Sequence, residues 1–157
     1  MLIKAFSHII QSFLMVAVGY SIIGIKLDRR KIIGVTILNS ICIMGVRSLY
    51  NKFNIPYGTH TIVLAIIYTL ICKLITKENL INSLISTLIS FSLIVVQELI
   101  VLLPIVYIFK VDIDKLISNN NFMFILITFI GNSLLGILYI FFFKLDHSII
   151  NLGEYKK

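Results

Sequence analysis

The chain has 157 residues, of which 59% are hydrophobic and 13% are charged, and its mean hydropathy is +1.02. This composition excludes a secreted disulfide scaffold, a disordered tail and an independent soluble catalytic domain, and it predicts an integral membrane protein. The net charge of +7 comes from 14 Lys and Arg against 7 Asp and Glu, in short clusters between apolar runs, so it bears on membrane orientation and indicates no nucleic-acid partner.

The apolar runs between the charge clusters predict the membrane-spanning helices. A hydrocarbon core of about 30 Å needs roughly 20 residues of helix. Five apolar runs lie at residues 5–25, 32–50, 57–72, 80–109 and 122–143, and all but the fourth are near this length. The whole chain, 1–157, is therefore predicted to form one all-α, polytopic membrane bundle with a short cytoplasmic tail at 144–157.

The fourth run contains a single charge, Glu98, and is too long for one straight span and too short for two. Pro104 lies within it. Proline lacks a backbone N–H and its ring clashes with the preceding turn, so it bends or breaks a helix. We therefore expect one fourth helix that is kinked at Pro104, with its far end turning toward the membrane interface.

Lys and Arg are unevenly distributed between the two sides of the predicted bundle. Nine lie on the side that carries the cluster at 26–31, and five lie on the other side. Cytoplasmic loops of membrane proteins are enriched in Lys and Arg. We therefore expect a multi-pass protein of the cell membrane with its amino terminus outside and its carboxyl terminus in the cytoplasm.

Glu98 is the first candidate for a functional residue, because an ionisable group within a span is costly and usually faces a protein interior or a cavity. It is expected in the outer half of the bundle, at a depth similar to that of Arg47 and His60. The three side chains are predicted to converge in a pocket that binds a small ligand, a peptide end or a proton. The structural alternative is that Glu98 pairs with Arg47 as a buried lock, or is held protonated beside Gln97.

Other polar residues within the spans give weaker signals. His8 and Gln11 share one face of the first predicted helix, three residues apart, and Asn39 and Ser40 lie together in the second. Polar side chains in membrane bundles commonly form hydrogen bonds between helices. We expect that role for these four residues.

The sequence contains no pattern typical of catalysis or of metal binding. Cys42 and Cys72 are 30 residues apart inside apolar runs, which fits neither a metal-ligand pair nor a redox motif. His60 and Cys72 are separated by about 18 Å along one helix, too far for a peptidase dyad. The predicted positions of His60 and Cys42 would allow such a dyad, but only Arg47 is near enough to lower the pKa of the Cys42 thiol. We predict no catalytic residue, no cofactor and no metal.

Four short segments carry a family resemblance. They are RSLYN at 47–51, IPYGTHT at 55–61, the pair Gln97-Glu98 and the polar run at 119–121. With the apolar spans between 24 and 143, the chain resembles the multi-span amino-terminal membrane regions of certain Firmicute sensor histidine kinases. The resemblance implies a ligand-sensing or signal-coupling role, with matching positions at Arg47, Pro56, Gly58, His60 and Glu98. The kinase module of that family is not found within these 157 residues, so we expect action by binding alone.

Three classes of function are open at this point. The first is a non-enzymatic, sensor-like or regulatory protein that binds a small ligand, a peptide or a membrane partner through the polar cluster. The second is a small-solute transport subunit in which Glu98 and Pro104 line a path, and the third is a structural or assembly protein. The expected partners are the lipid bilayer, a membrane or cytoplasmic signalling protein, and a second copy of the chain in a homodimer.

Overall fold

The computed structural model describes residues 2–53, 59–104, 107, 121–145, 148 and 149, and the regular structure in this part of the chain is entirely helical. The first four helices are α1 (Leu2–Ile22), α2 (Arg29–Phe53), α3 (Thr59–Thr76) and α4 (Leu80–Gln97). A π-helical turn, Glu98–Leu102, continues α4. The remaining elements are α5 (Asn121–Gly131), α6 (Ser133–Leu138) and a π-helical segment that continues α6, Tyr139–Lys144.

The helices α1 to α4 are each long and apolar enough to cross a membrane. The qualifying stretches are Ala5–Ile22, Arg29–Tyr50, Thr59–Thr76 and Leu80–Val101. A fifth crossing is present if the bent pair α5–α6 is counted as one span. The all-helical class predicted from the sequence is confirmed, and four to five such helices are compatible with a multi-pass membrane protein.

The helices extend through charged residues at which the apolar runs end. α2 begins at Arg29, not at residue 32, and α3 continues past Lys73 to Thr76. Long cationic side chains lay their apolar stems along a helix while the charge reaches polar surroundings, so a charge near the end of a span does not end the helix. Pro56, Gly58 and most of the predicted tail at 144–157 lie outside the described residues.

α4 buries its polar side chains and exposes its apolar ones. The residues on its buried face are Ser83, Ser86, Thr87, Ser90 and Gln97. By contrast, Ile81, Leu84 and Leu88 are 69%, 46% and 57% exposed. A helix on the surface of a soluble protein shows the reverse pattern, with its apolar stripe facing the core. The arrangement in α4 is typical of a helix whose outer face contacts lipid and whose inner face forms hydrogen bonds.

α1 is the central helix and packs against α2, α4 and the α5–α6 pair. Gly19 makes the close approach of α1 and α4 possible. A Cβ atom at this position would lie 2.6 Å from Oγ of Ser86 and 2.9 Å from the main-chain oxygen of Ser86. Small residues at helix crossings allow this kind of close packing in membrane bundles.

The main chain departs from regular α-helical geometry in the fourth and fifth spans. In the fourth, the N–H of Leu103 donates to the main-chain oxygen of Glu98, five residues back. This π-helical turn precedes Pro104, and the kink predicted at Pro104 stays a prediction because most residues after it lie outside the described part. The α5–α6 pair, which lies at the fifth predicted span, carries a bend that the sequence did not indicate, since the two helices meet at 55° around Asn132.

Successive helices run in opposite directions, so the bundle has two different ends. The basic end comprises the end of α1, the start of α2, the end of α3 and the start of α4, and here the hydroxyl of Tyr20 lies 3.0 Å from Oγ of Ser83. The cavity end comprises the start of α1, the end of α2, the start of α3 and the end of α4. The cluster of Lys and Arg at 26–31 lies at the basic end.

Candidate functional site

A cavity of about 170 Å³ lies at the cavity end, between α1, α2, α3 and the fourth helix. The fourth helix is α4 together with the π-helical turn that continues it, Glu98–Leu102. Each of these four helices contributes at least two of the residues that line it. The shape of the cavity therefore depends on the packing of all four.

Three of the site residues predicted from the sequence line this one cavity. Arg47 comes from the last part of α2, His60 from the first turn of α3 and Glu98 from the turn that follows α4. α4 has 18 residues and is thus about 27 Å long, which carries Glu98 to the end of the bundle where α2 ends and α3 begins. The fourth predicted residue, Pro104, is not among the lining residues.

α2 presents one stripe of side chains to the cavity. Asn39, Ile43 and Arg47 are spaced four residues apart, and residues at that spacing lie above one another on one face of a helix. Asn39 and Ile43 are buried, whereas Arg47 is exposed. The cavity therefore has a buried floor and a charged mouth.

The fourth helix supplies an apolar wall and a second charge at the mouth. Phe91, Ile94 and Glu98 line the cavity from one face of this helix, and Glu98 is exposed, as is Arg47. The buried Arg47–Glu98 lock, considered as a structural alternative, requires both charged groups to be withdrawn from solvent. Arg47 and Glu98 are both exposed and both line the cavity, and a structural pairing of the two stays an alternative.

His60 is held at the mouth by the corner between α2 and α3. Its ring lies edge-on to that of Tyr50, with 6.0 Å between the ring centroids. Oγ1 of Thr59, the residue before it, donates a hydrogen bond of 3.2 Å to the hydroxyl of Tyr50. These contacts fix the start of α3 against the end of α2, so the imidazole and Arg47 share the same end of the bundle.

Hydrogen bonds between α1 and α2 support the polar side of the cavity. Nδ2 of Asn39 donates to Oγ of Ser12 at 2.9 Å, and Oγ of Ser40 donates to the main-chain oxygen of His8 at 3.2 Å. Nη1 of Arg47 lies 3.5 Å from Nε2 of His8. The helix-to-helix role predicted for Asn39 and Ser40 is confirmed, and Asn39 lines the cavity in addition.

Gln11 is a lining residue that the sequence did not identify as part of the site. It lies on α1 four residues before Met15, which also lines the cavity. Gln11 is half-buried and Met15 is buried. The signal in the sequence was that Gln11 shares one face of the first helix with His8, and this spacing does not show which neighbouring helix the face meets.

Gln97 precedes Glu98 in the chain but contacts a different part of the molecule. Its Oε1 accepts a hydrogen bond of 3.1 Å from the N–H of Leu135, and both residues are buried. Leu135 lies in the first turn of α6, where N–H groups lack partners within the helix. The sequence alone suggested Gln97 only as a partner for Glu98. A signal for its buried position was nevertheless present, because Ser83, Ser90 and Gln97 follow one another at intervals of seven residues and so lie on one face of the helix.

Neither cysteine lines the cavity. Cys72 is buried in a cluster with Tyr20 and Tyr68, and Cys42 is half-buried beside the same cluster. Within the described part of the chain, no group of three His, Cys, Asp or Glu side chains is arranged to hold a metal ion. The polar groups available at the cavity are thus two opposite charges, an imidazole, two neutral amides and the hydroxyl of Thr61.

Comparisons of the chain with protein-family profiles, with curated proteins and with solved structures give no significant match. The function has therefore to be inferred from the cavity and from the residues around it. The likeness to membrane regions of sensor histidine kinases stays a prediction from the sequence.

Proposed function

We propose that this chain is a multi-pass membrane protein that binds a small polar ligand in the cavity and acts as a sensor or regulator, not as an enzyme. The observation that carries the proposal is the grouping of Arg47, His60 and Glu98, which come from three helices to the mouth of one cavity. Ionisable groups within apolar helices are costly, and their convergence around a space favours a ligand-binding role.

The volume of the cavity limits the size of the ligand. A cavity of about 150 Å³ in a protein core holds one benzene molecule, which has about six non-hydrogen atoms. The present cavity, at about 170 Å³, is of similar size. The proposed ligand is therefore a small amino acid, or the terminal residue of a peptide whose remainder lies outside the mouth.

The charges at the mouth indicate the chemical class of the ligand. The guanidinium group of Arg47 has the geometry to pair with a carboxylate, and the carboxylate of Glu98 accepts hydrogen bonds from an ammonium group. Met15 and Ile43 on the buried floor suit a short apolar side chain. We propose a zwitterion with both charged groups on one end, which is the chemistry of an α-amino acid.

Neighbouring residues provide a route from the cavity to the fifth span. Glu98 lines the cavity, and Gln97 beside it holds Leu135 at the start of α6. A ligand that draws Glu98 toward the cavity therefore also displaces the side chain that supports α6. A change in helix packing of this kind passes a binding event to a membrane or cytoplasmic partner without any catalytic step.

The orientation proposed from the charges puts the cavity on the outer side of the membrane. The cluster of Lys and Arg at 26–31 lies at the basic end, opposite the cavity end. Because cytoplasmic loops are enriched in cations, this arrangement supports the proposed orientation, with the amino terminus outside and the carboxyl terminus in the cytoplasm. The ligand would reach the mouth from outside the cell.

The test is calorimetric titration of the purified full chain in neutral detergent. Glycine, alanine, serine and valine are compared with their N-acetyl and methyl-ester derivatives, each of which lacks one charge. Hydrogen bonds to charged groups contribute about 1.5–3 kcal/mol, so we expect each blocked derivative to bind at least about tenfold more weakly. Equal binding of zwitterions and blocked derivatives, or binding of none of them, would contradict the proposal.

Glu98→Gln is the variant that separates a binding role from a structural one. We expect it to weaken zwitterion binding at least about tenfold, because the charged partner of the ammonium group is lost. Glu78→Gln is the matched control, since it makes the same chemical change between α3 and α4 at the basic end. A Glu98→Gln protein that loses stability, while the wild type binds no zwitterion, would instead favour a structural or assembly protein.

The broken fifth span favours a transport subunit as the second candidate. Many transporters bind solutes where membrane helices are interrupted. α5 and α6 meet at 55°, and Oδ1 of Asn132 at the break is buried without a hydrogen-bond partner in the described part of the chain. Uptake of a labelled zwitterion into vesicles that contain the protein would support this candidate, whereas binding without uptake supports the sensor.

A further inference from the structure

Four exposed cations at the basic end form a surface that we call the basic rim. It consists of Arg29 and Arg30 in the first turn of α2, and of Lys73 and Lys77 at the end of α3. The two helix ends are joined by Lys31, whose Nζ donates a hydrogen bond of 3.0 Å to the main-chain oxygen of Thr76. The fold thereby brings together cations that are more than 40 residues apart in the sequence.

Acidic residues around the basic rim are fewer than the cations. In the described segments that join α1 to α2 and α3 to α4, the acids are Asp28 and Glu78. Lys26 and Lys31 add two further cations to the same end. Among the residues that the structure describes, this end therefore has an excess of positive charge that an anion can neutralise.

Exposed apolar side chains lie next to the basic rim on the outside of the helices. Ile33, Leu74 and Ile81 are 54%, 73% and 69% exposed, and all three lie within about one helical turn of the ends that carry the cations. Cations above an exposed apolar surface match the order of groups in a phospholipid, which has a phosphate above its acyl chains.

Lys77 occupies a backbone conformation that favours glycine. Its φ angle is 59°, in the left-handed region, where it ends α3 and turns the chain toward α4. Glycine adopts this conformation at helix ends with little steric cost, whereas a side chain is disfavoured there. A lysine at such a position is an outlier from which a functional role for its side chain can be inferred.

From these observations we infer that the basic rim binds the headgroup phosphate of an anionic phospholipid, whose acyl chains lie on the apolar surface of Ile33, Leu74 and Ile81. The inference is independent of the ligand proposed for the cavity, which lies at the other end of the bundle. Charge complementarity selects anionic lipids over zwitterionic ones, and the adjoining apolar surface selects a lipid over free phosphate.

The test uses the full chain, purified in neutral detergent and freed of lipid. Short-chain phosphatidylglycerol and phosphatidylcholine are titrated separately, and bound lipid is measured by native mass spectrometry. We expect at least tenfold tighter binding of phosphatidylglycerol, and a loss of about fivefold in affinity for each rim cation that is replaced by glutamine. The effect should weaken at high ionic strength.

Lys77→Gly separates lipid binding from folding. It should weaken phosphatidylglycerol binding about fivefold, while the melting temperature stays the same or rises because glycine suits the left-handed conformation. Lys52→Gln, near the end of α2 at the cavity end, is the matched control and should leave lipid binding unchanged. If Lys77→Gly does not fold, Lys77→Gln serves in the same comparison.

Three results would overturn the inference. One is equal binding of the two lipids, and another is a Lys77 variant that folds and binds phosphatidylglycerol as tightly as the wild type. The third is complete displacement of the lipid by millimolar inorganic phosphate, which would assign the basic rim to a free anion.

Discussion

The interior of the bundle is filled differently at its two ends, with packed hydroxyl groups at one end and a cavity lined by charged groups at the other. At the basic end, Tyr20, Thr76 and Ser83 are all buried, and the hydroxyl of Tyr20 lies within hydrogen-bonding distance of both partners. At the cavity end, Arg47 and Glu98 remain exposed around a space of about 170 Å³. Polarity alone therefore does not mark a site, whereas exposed polar groups around a shared space do.

This difference separates two kinds of experimental outcome. Changes to closely packed or hydrogen-bonded positions should lower the free energy of unfolding and leave ligand affinity unchanged. Changes at the cavity mouth should lower affinity and leave the free energy of unfolding nearly unchanged. The following four substitutions test this separation, beginning with the largest expected effect.

Gly19→Ala should give the largest loss of stability. The added Cβ would approach both Oγ and the main-chain oxygen of Ser86, so α1 and α4 have to move apart. Overpacking of this kind costs about 3 kcal/mol at the upper end of its usual range, measurable by denaturant unfolding in detergent. Gly136→Ala is the control, because a Cβ there has no neighbour within 4 Å. Equal effects of the two changes would show that Gly19 does not set the distance between the helices.

Gln97→Leu should lower the free energy of unfolding by about 2 kcal/mol, because a buried N–H of Leu135 loses its acceptor. Hydrogen exchange at the Leu135 amide should become faster in the variant. Gln11→Leu makes the same chemical change at the cavity, where we expect weaker ligand binding and a smaller loss of stability. A Gln97→Leu protein with wild-type stability and exchange would remove the proposed support of α6.

Arg47→Lys should weaken binding of the proposed zwitterion by about tenfold, equivalent to about 1.4 kcal/mol. Lysine keeps the positive charge but lacks the planar, two-pronged donor geometry that matches a carboxylate. Calorimetric titration measures the affinity, and denaturant unfolding should show a change below about 0.5 kcal/mol. Wild-type affinity in this variant would mean that Arg47 acts through its charge alone or does not contact the ligand.

Tyr20→Phe should have the smallest effect, a loss of about 0.6 kcal/mol, which is the average measured for a hydrogen bond between membrane helices. The change removes the hydroxyl that contacts Ser83 and Thr76 and keeps the ring in the core. Tyr107→Phe is the control, since Tyr107 is 82% exposed. A change in ligand affinity on Tyr20→Phe would contradict the separation of the two ends.

The spans and the grouping at the cavity end follow from simple features of the sequence. Apolar runs near the thickness of a bilayer identify α1 to α4, and antiparallel helices of similar length return Arg47, His60 and Glu98 to the same end. These arguments need only run lengths and the positions of charges. The roles of the three residues in binding stay predictions.

The contacts between helices could not be predicted from run lengths and charge positions. Gly19 has no second glycine four residues away. It permits close packing because it faces Ser86 on α4, a helix that is far away in the sequence but adjacent in space. The bend between α5 and α6 lies at Asn132, whereas the sequence predicted a bend only at Pro104, in the fourth helix. Asn132 donates from Nδ2 to the main-chain oxygen of Thr128, and such a local bond is available to many asparagines that lie in unbroken helices.

The hydrogen bond between Gln97 and Leu135 has a consequence for the order in which the bundle is assembled. The bend at Asn132 leaves an N–H in α6 whose acceptor belongs to the fourth helix. In a bilayer, an N–H without an acceptor is several kcal/mol less stable than a bonded one, so α6 reaches its final state only against a fourth helix that is already in place. Insertion from the amino terminus onward satisfies this requirement, because each earlier helix is present when the α5–α6 pair joins the bundle.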